Sequence, residues 1–195
     1  PRYLEQQRQQ QWLKHPAPAA ADCRVGILGL GNLGQAAARV LNTLGYSCAG
    51  WSRTPKSVAG VTSYHGDPQL GEFLRQCQIL VCLLPLTDQT RGILSQALFS
   101  QLPDGACLVH AGRGKQLNHQ HLLEALDSGK LSRAVIDVTE PEPLPAGHPF
   151  WLHTKIWLTP HIASETHAES AVKVLLDNIR NHQQGKPMKG VIGKQ

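Results

Sequence analysis

The sequence predicts an α/β fold, a doubly wound parallel sheet with helices on both faces. Short apolar runs alternate with segments of helical periodicity, and a glycine-rich turn joins one such run to one such segment. The 195 residues are 41% hydrophobic and 17% charged, enough for one sizeable core. Val25-Gly26-Ile27-Leu28 is the first continuous apolar run, as a strand buried on both faces requires. Ala36, Ala37, Val40, Leu41 and Leu44 follow at helical spacing and Gly45 stops them. Ser47 to Trp51 is the next strand, Pro68 to Gln76 a helix, and Ile79 to Leu84 a strand. Ser95 to Leu102 reads as helix and Ala106 to His110 as strand. Asn118 caps a helix that carries Leu122, Leu123 and Leu126 and is closed by Gly129. Ala134-Val135-Ile136 and Ile156-Trp157-Leu158 complete the strands. At the ends, Pro1 to Leu13 is expected to be a polar surface helix, and His15 to Ala21 a proline-broken linker. Thr166 and Glu169 form a capping box for a last helix, whose Ala168, Ala171, Val172, Leu175, Leu176 and Ile179 make one apolar stripe ended by Gly185 and Pro187.

Composition narrows the function classes. The formal charge is +5 and the pI about 9.1, yet Lys and Arg are scattered and have no aromatic interleaving, so nucleic acid is not an expected partner. Such a field suits small anions, phosphates and carboxylates. No run approaches the roughly 18 apolar residues of a membrane span, and Pro1 to Lys14 is polar and Gln-rich, unlike a secretory signal. The five cysteines are odd in number and mostly sit in apolar runs, which reads as buried free thiols of a cytoplasmic protein. Pro1 in place of a methionine suggests a piece of a longer chain.

Gly29-Leu30-Gly31-Asn32-Leu33-Gly34 is a GxGxxG turn between a strand and a helix, the fingerprint of a Rossmann-type dinucleotide site. Gly29 permits the tight turn, Gly31 lets the backbone approach a pyrophosphate, and Gly34 lets the helix pack against the strand. The phosphates would lie on the free N–H groups of the helix start, at Asn32 and Leu33. Taken without its context, the turn is a weak signal, and a flexible turn that holds no ligand is the plainer alternative. At the end of the second strand an NAD site usually has an acidic residue for the ribose 2′-OH. Here the sequence reads Trp51-Ser52-Arg53-Thr54-Pro55-Lys56. Ser52, Arg53 and Lys56 suit a 2′-phosphate, so NADP(H) is the expected cofactor, with NAD(H) possible. A solvated basic turn is the bland alternative.

Four later segments carry a resemblance. Leu83-Leu84-Pro85-Leu86-Thr87-Asp88-Gln89-Thr90, Ala111-Gly112-Arg113-Gly114, Asp137-Val138-Thr139-Glu140-Pro141-Glu142-Pro143-Leu144 and Thr159-Pro160-His161-Ile162-Ala163 occur, with the glycine turn, in the order and at the separations of the D-2-hydroxyacid dehydrogenase family. The chain resembles that family from Pro1 to about Lys189. Trp51-Ser52-Arg53-Thr54, Leu102-Pro103-Asp104-Gly105-Ala106 and Leu126-Asp127-Ser128-Gly129-Lys130 look most like its glyoxylate/hydroxypyruvate reductases. The resemblance implies NADPH-dependent reduction of a small 2-oxo acid, with Arg113, Glu142 and His161 catalytic. It also implies that Leu84, Pro85, Thr90, Ala111, Arg113, Asp137, His161 and Ala163 line the cofactor site, that no metal is needed, and that the protein is a homodimer. It further implies that residues 1–21 are a crossover helix and linker, 22–165 the dinucleotide-binding domain, and 166–195 a helix and tail returning to a substrate domain, about a third of the protein, that lies elsewhere. Thr139 and His110 depart from the family's wording; both read as packing variants, though a histidine at His110, near the nicotinamide, is unexplained.

The chemistry agrees with the resemblance. Reducing a 2-oxo acid needs a hydride, a proton for the developing alkoxide and a cation for the carboxylate. His161 is suited to give the proton, Glu142 to fix its tautomer, and Arg113 to present a planar fork to the carboxylate. Each residue has a plainer reading, as a structural histidine, a solvated loop charge or a phosphate contact. An NAD-dependent D-2-hydroxyacid or phosphoglycerate dehydrogenase, and a dinucleotide-sensing corepressor-like protein, remain the alternatives at this point. His119 and His121 are expected to face solvent.

Overall fold

The computed structural model describes residues 2–165, 168–188 and 190. Seven strands form one sheet, all parallel: β1 (Arg24–Leu28), β2 (Ser47–Ser52), β3 (Val61–His65), β4 (Ile79–Cys82), β5 (Ala106–His110), β6 (Leu131–Ile136) and β7 (Ile156–Leu158). Their order is β3-β2-β1-β4-β5-β6-β7, so the chain winds outward in one direction from β1 and then in the other from β4. That reversal between β1 and β4 opens a crevice at the carboxyl ends of the strands, where ligands bind in such sheets. The helices are α1 (Arg2–Arg8), α2 (Asn32–Thr43), α3 (Gly66–Leu74), α4 (Gln96–Phe99), α5 (His119–Asp127) and α6 (Ala168–Gln183).

Both faces of the sheet are buried. Val25 and Ile27 of β1 pack with Ala38 of α2 in one cluster, while Leu28 joins Phe73, Leu80, Phe99, Leu108, Leu122 and Phe150 in the other. The alternation follows from the two-residue period of a strand. Cys48, Cys77 and Cys82 are buried and unpaired, and burial pushes the thiols of Cys77 and Cys82 up to about 12. Such thiols are not nucleophiles at neutral pH.

Several elements differ from expectation. The first helix ends at Arg8, not Leu13, because Gln10 takes a left-handed φ of 54°. The Gln11 N–H then closes back on the Gln6 carbonyl at 2.8 Å, a C-terminal cap that stops the helix. The segment from Ser95 to Leu102 is helical only over Gln96–Phe99. β4 stops at Cys82, leaving Leu83 and Leu84 in the loop before Pro85. β3 was not expected at all: it is a half-exposed edge strand of mixed polarity, without an apolar run. Asn118 does cap α5, its Oδ1 accepting the His121 N–H at 3.0 Å. His119 and His121 are half-buried, against the expectation that both face solvent. The capping-box residue Thr166 lies outside the described residues. Among the described residues no helix is long and apolar enough to cross a membrane.

The chain divides into two compact units, Pro1–His161 and Ile162–Gln195. The first holds the sheet. In the second, Val172, Leu175, Leu176 and Ile179 of α6 are exposed.

Candidate active site

The expected site residues of the first unit lie at the carboxyl ends of the strands, in the loops that leave them and in the first turn of α2. After β1, Gly29 has a φ of 104°, and a side chain there would meet the Leu83 backbone at 2.8 Å. Its N–H donates to the Trp51 carbonyl at 2.9 Å, which ties the turn to the end of β2. A Cβ on Gly34 would collide with the Gly29 carbonyl, so glycine is what lets α2 start against the turn. A Cβ on Gly31 would meet nothing within 4 Å, and no side chain caps α2. The space beside Gly31 is therefore open, and the first N–H groups of the helix, at Asn32 and Leu33, stand at its positive end, where a phosphate is favoured.

β2 ends at Ser52, which is buried and donates its hydroxyl to the Thr54 carbonyl at 2.8 Å. Arg53 and Lys56 follow, both exposed. The turn thus offers two cations and no carboxylate beside the glycine loop.

Beyond β4 the backbone is pinned by a residue that the sequence reading missed. Gln116 is fully buried. Its Nε2 donates to the carbonyls of Leu84 and Pro85 at 3.1 and 2.9 Å, and its Oε1 accepts the Arg113 N–H at 2.8 Å. Thr90 adds a second tie, its hydroxyl donating to the Pro85 carbonyl at 2.7 Å. A glutamine three residues after an arginine carries no pattern of its own, so only tertiary structure exposes this role. Ala111 continues β5, its N–H donating to the Cys82 carbonyl at 3.1 Å.

Arg113 is exposed and extended, with φ −141° and ψ 141°. Its Nη1 donates to the Gly112 carbonyl at 2.7 Å, and among the described residues no carboxylate pairs with it. The next residue, Gly114, packs so tightly that a Cβ would collide with the Thr139 carbonyl. This joins the arginine loop to the segment that carries Glu142.

His161 and Glu142 meet. The histidine Nδ1 lies 2.9 Å from Glu142 Oε1, with both side chains about two-fifths exposed. An ionised carboxylate only accepts, so Nδ1 carries the hydrogen and Nε2 is left for other chemistry. His161 holds a left-handed φ of 55°, a conformation that costs a non-glycine residue about 1 kcal/mol or more. Its N–H is held by the carbonyls of Asp137 at 2.8 Å and Thr159 at 3.1 Å. Asp137 is buried, and its carboxylate accepts the Thr159 hydroxyl at 2.6 Å, bracing the two strand ends that feed His161. Ala163 belongs to the second unit. Among the described residues no group of histidine, cysteine and carboxylate side chains is arranged for a metal ion.

Comparison with known proteins extends this picture. The family model for the D-isomer specific 2-hydroxyacid dehydrogenase NAD-binding domain matches residues 1–163. A glyoxylate/hydroxypyruvate reductase A of Photorhabdus laumondii is 42% identical over 190 residues, covering 97% of this chain and 61% of the relative. The chain thus spans about three-fifths of the length of the curated relatives it matches. Among solved structures, a D-isomer specific 2-hydroxyacid dehydrogenase from Xanthobacter autotrophicus, in complex with NADPH and MES, superposes with a TM-score of 0.95 at 39% identity, over 98% of this chain and 79% of the other. An NADPH-dependent glyoxylate/hydroxypyruvate reductase from Sinorhizobium meliloti, in complex with NADP and sulfate, gives 0.93 at 37% identity, over 98% and 62%.

Proposed function

This chain belongs to the D-isomer specific 2-hydroxyacid dehydrogenase family, and from that premise we propose that it is the NADP(H)-binding part of a reductase of glyoxylate or hydroxypyruvate. The start of α2 would hold the pyrophosphate, with Gly31 leaving room for it. The 2′-phosphate is held by Arg53 and Lys56 with Ser52 beside them. Leu84, Pro85 and Thr90 would flank the adenine side and ribose of the cofactor, and Ala111 and Asp137 would belong to the nicotinamide end. NAD(H), lacking the 2′-phosphate, binds the same loop more weakly.

When bound, NADPH supplies the hydride. The protein's own groups do the rest. Arg113 grips the substrate carboxylate with its guanidinium and polarises the carbonyl. His161 gives the proton from Nε2 to the oxygen of the carbonyl as it becomes an alkoxide, and Glu142 on Nδ1 keeps the ring oriented and balances its charge. The observation that carries this reading is the 2.9 Å His161–Glu142 pair at the carboxyl edge of a sheet whose first turn is the glycine loop. The buried free thiols fit a cytoplasmic protein, and the exposed apolar residues of α6 fit a homodimer.

Steady-state rates of the longer protein carrying this chain test the proposal. NADPH and NADH are compared against glyoxylate, hydroxypyruvate and phosphohydroxypyruvate. A higher kcat/KM with NADPH and one of the first two acids is expected. A preference for NADH with phosphohydroxypyruvate would instead make it a phosphoglycerate dehydrogenase, and binding of the dinucleotide without turnover would make it a sensor.

A further inference from the structure

His110, His119 and His148 take no part in the proposed chemistry. His110, the last residue of β5, is fully buried, and its Nε2 lies 3.1 Å from the Arg113 carbonyl oxygen. A carbonyl can only accept, so Nε2 carries the ring hydrogen. In the neutral ring Nδ1 is a bare lone pair, buried and without a hydrogen-bond partner. His148 is set from its own side, since its Nδ1 accepts the Phe150 N–H at 3.2 Å. Its hydrogen is therefore on Nε2, which lies 3.1 Å from Nδ1 of His119. His119 must then accept at Nδ1 and carry its own hydrogen on Nε2, an atom that is also buried without a partner. Phe150 packs on both rings, with centroids 4.6 Å from each. Every ring in the cluster resolves to one tautomer.

The Arg113 backbone is held at both ends by this arrangement. Its N–H goes to Gln116 and its carbonyl to His110, two fully buried side chains, while the guanidinium stays outside. We propose that His110, kept in its Nε2–H form beside the His119–His148 pair, is a positioning residue that fixes the origin of the Arg113 side chain and so aims its fork. A bidentate grip on a carboxylate tolerates little angular error, so the consequence falls on the oxo acid and not on the dinucleotide. The part of this inference that concerns substrate rests on the reading of Arg113 as carboxylate anchor. Burial pushes His110 down to about 4. The Arg113 carbonyl and the Asp137 carboxylate work against that shift, and His119 works with it.

Two measurements test the inference. Nitrogen-15 imidazole spectra of the 195-residue chain should show Nε2–H and bare Nδ1 for all three rings, with His110 titrating only as the pH approaches about 4. In the same chain, the Arg113 Nε should become more mobile in His110→Leu and stay ordered in His110→Gln, which keeps a side-chain N–H donor. An Nδ1–H tautomer at His110, titration near neutrality, or equal Arg113 order in all three proteins would overturn the proposal. In the longer protein, His110→Leu should raise KM for the oxo acid roughly fivefold or more, the loss of one hydrogen bond, leaving the NADPH Kd unchanged and His110→Gln near wild type. A variant that binds NADPH worse but the oxo acid normally would contradict it. Absence of any oxo-acid turnover in the unaltered protein would end the functional reading alone, because the ring and arginine spectra do not depend on it. Should His110→Leu not fold, the spectra of the unaltered chain and of His110→Gln still decide.

Discussion

In the proposed function, Arg53 is the residue on which cofactor choice turns. It is exposed beside the glycine loop, in a turn that carries no acidic side chain, and a charge-assisted bond to a 2′-phosphate contributes about 1.5–3 kcal/mol. Arg53→Ala should therefore raise KM for NADPH by roughly 10- to 150-fold and leave NADH almost untouched. An unchanged NADPH-to-NADH ratio would remove the residue from that role. At the catalytic pair, His161→Ala should lower kcat by roughly 10²–10⁴-fold, the usual contribution of a positioned acid, with a smaller loss for Glu142→Gln. The buried histidines give a pH prediction. His110 titrates at about 4 in the folded protein against 6.5 ordinarily, because burial disfavours its charge. The unfolded chain thus takes up the proton first. Stability is complete above about pH 6.5, declines as the pH falls, and flattens near pH 4, a change of about 3 kcal/mol from this group. His119 is shifted the same way, by burial and then by His148. Urea midpoints measured across this window should fall less steeply for His110→Gln than for the unaltered chain; parallel curves would refute the assignment.

The turn from β1 into α2 separates folding from binding within six residues. Gly34 lies against the Gly29 carbonyl, so Gly34→Ala forces the helix off the strand and should cost stability as well as affinity. Gly31 faces open space with φ −74°, which any residue adopts. Gly31→Ala should keep stability within about 0.5 kcal/mol and still weaken NADPH, because the methyl group would stand where the proposed function puts the pyrophosphate. Denaturant midpoints and fluorescence titration on both variants distinguish the two effects, and equal damage to stability would contradict the account. The same contrast explains what could be read from sequence. β1, β5 and β7 announced themselves as apolar runs, and α5 through its Asn118 cap, because local chemistry decides them. β3 did not, since an edge strand half in solvent needs no apolar run. The end of α1 rests on one left-handed residue, Gln10, of a type that seldom adopts that conformation. At the site, Arg113, Glu142 and His161 were legible as members of motifs. Gln116 and His110 were not, because their importance lies in carbonyls that reach them only once β4, β5 and the following loops are packed together.

Across the whole molecule, the chain corresponds to about three-fifths of its curated relatives, and apolar side chains are exposed on α6 and around α1, including Tyr3, Leu4, Trp12 and Leu13. Patches of this kind suit surfaces that other protein covers. The first unit holds a complete sheet with its glycine loop. The 195-residue chain should therefore bind NADPH, which would appear as a rise in Tm with added cofactor. It should reduce glyoxylate negligibly beside a protein of its relatives' length, because we propose that residues beyond these 195 help to orient the substrate and exclude water. Near-equal turnover by the two would show that the site is not shared between domains. The central claim is that the loops around Gly31, Arg113 and His161 hold NADPH and a 2-oxo acid so that hydride passes directly between them. It is tested most directly by giving the longer protein glyoxylate and NADPH labelled with deuterium at the transferable position of the nicotinamide. The account predicts deuterium on the carbinol carbon of the glycolate formed, at a rate that collapses in His161→Ala; bound, unconsumed NADPH with no label in any product would contradict it.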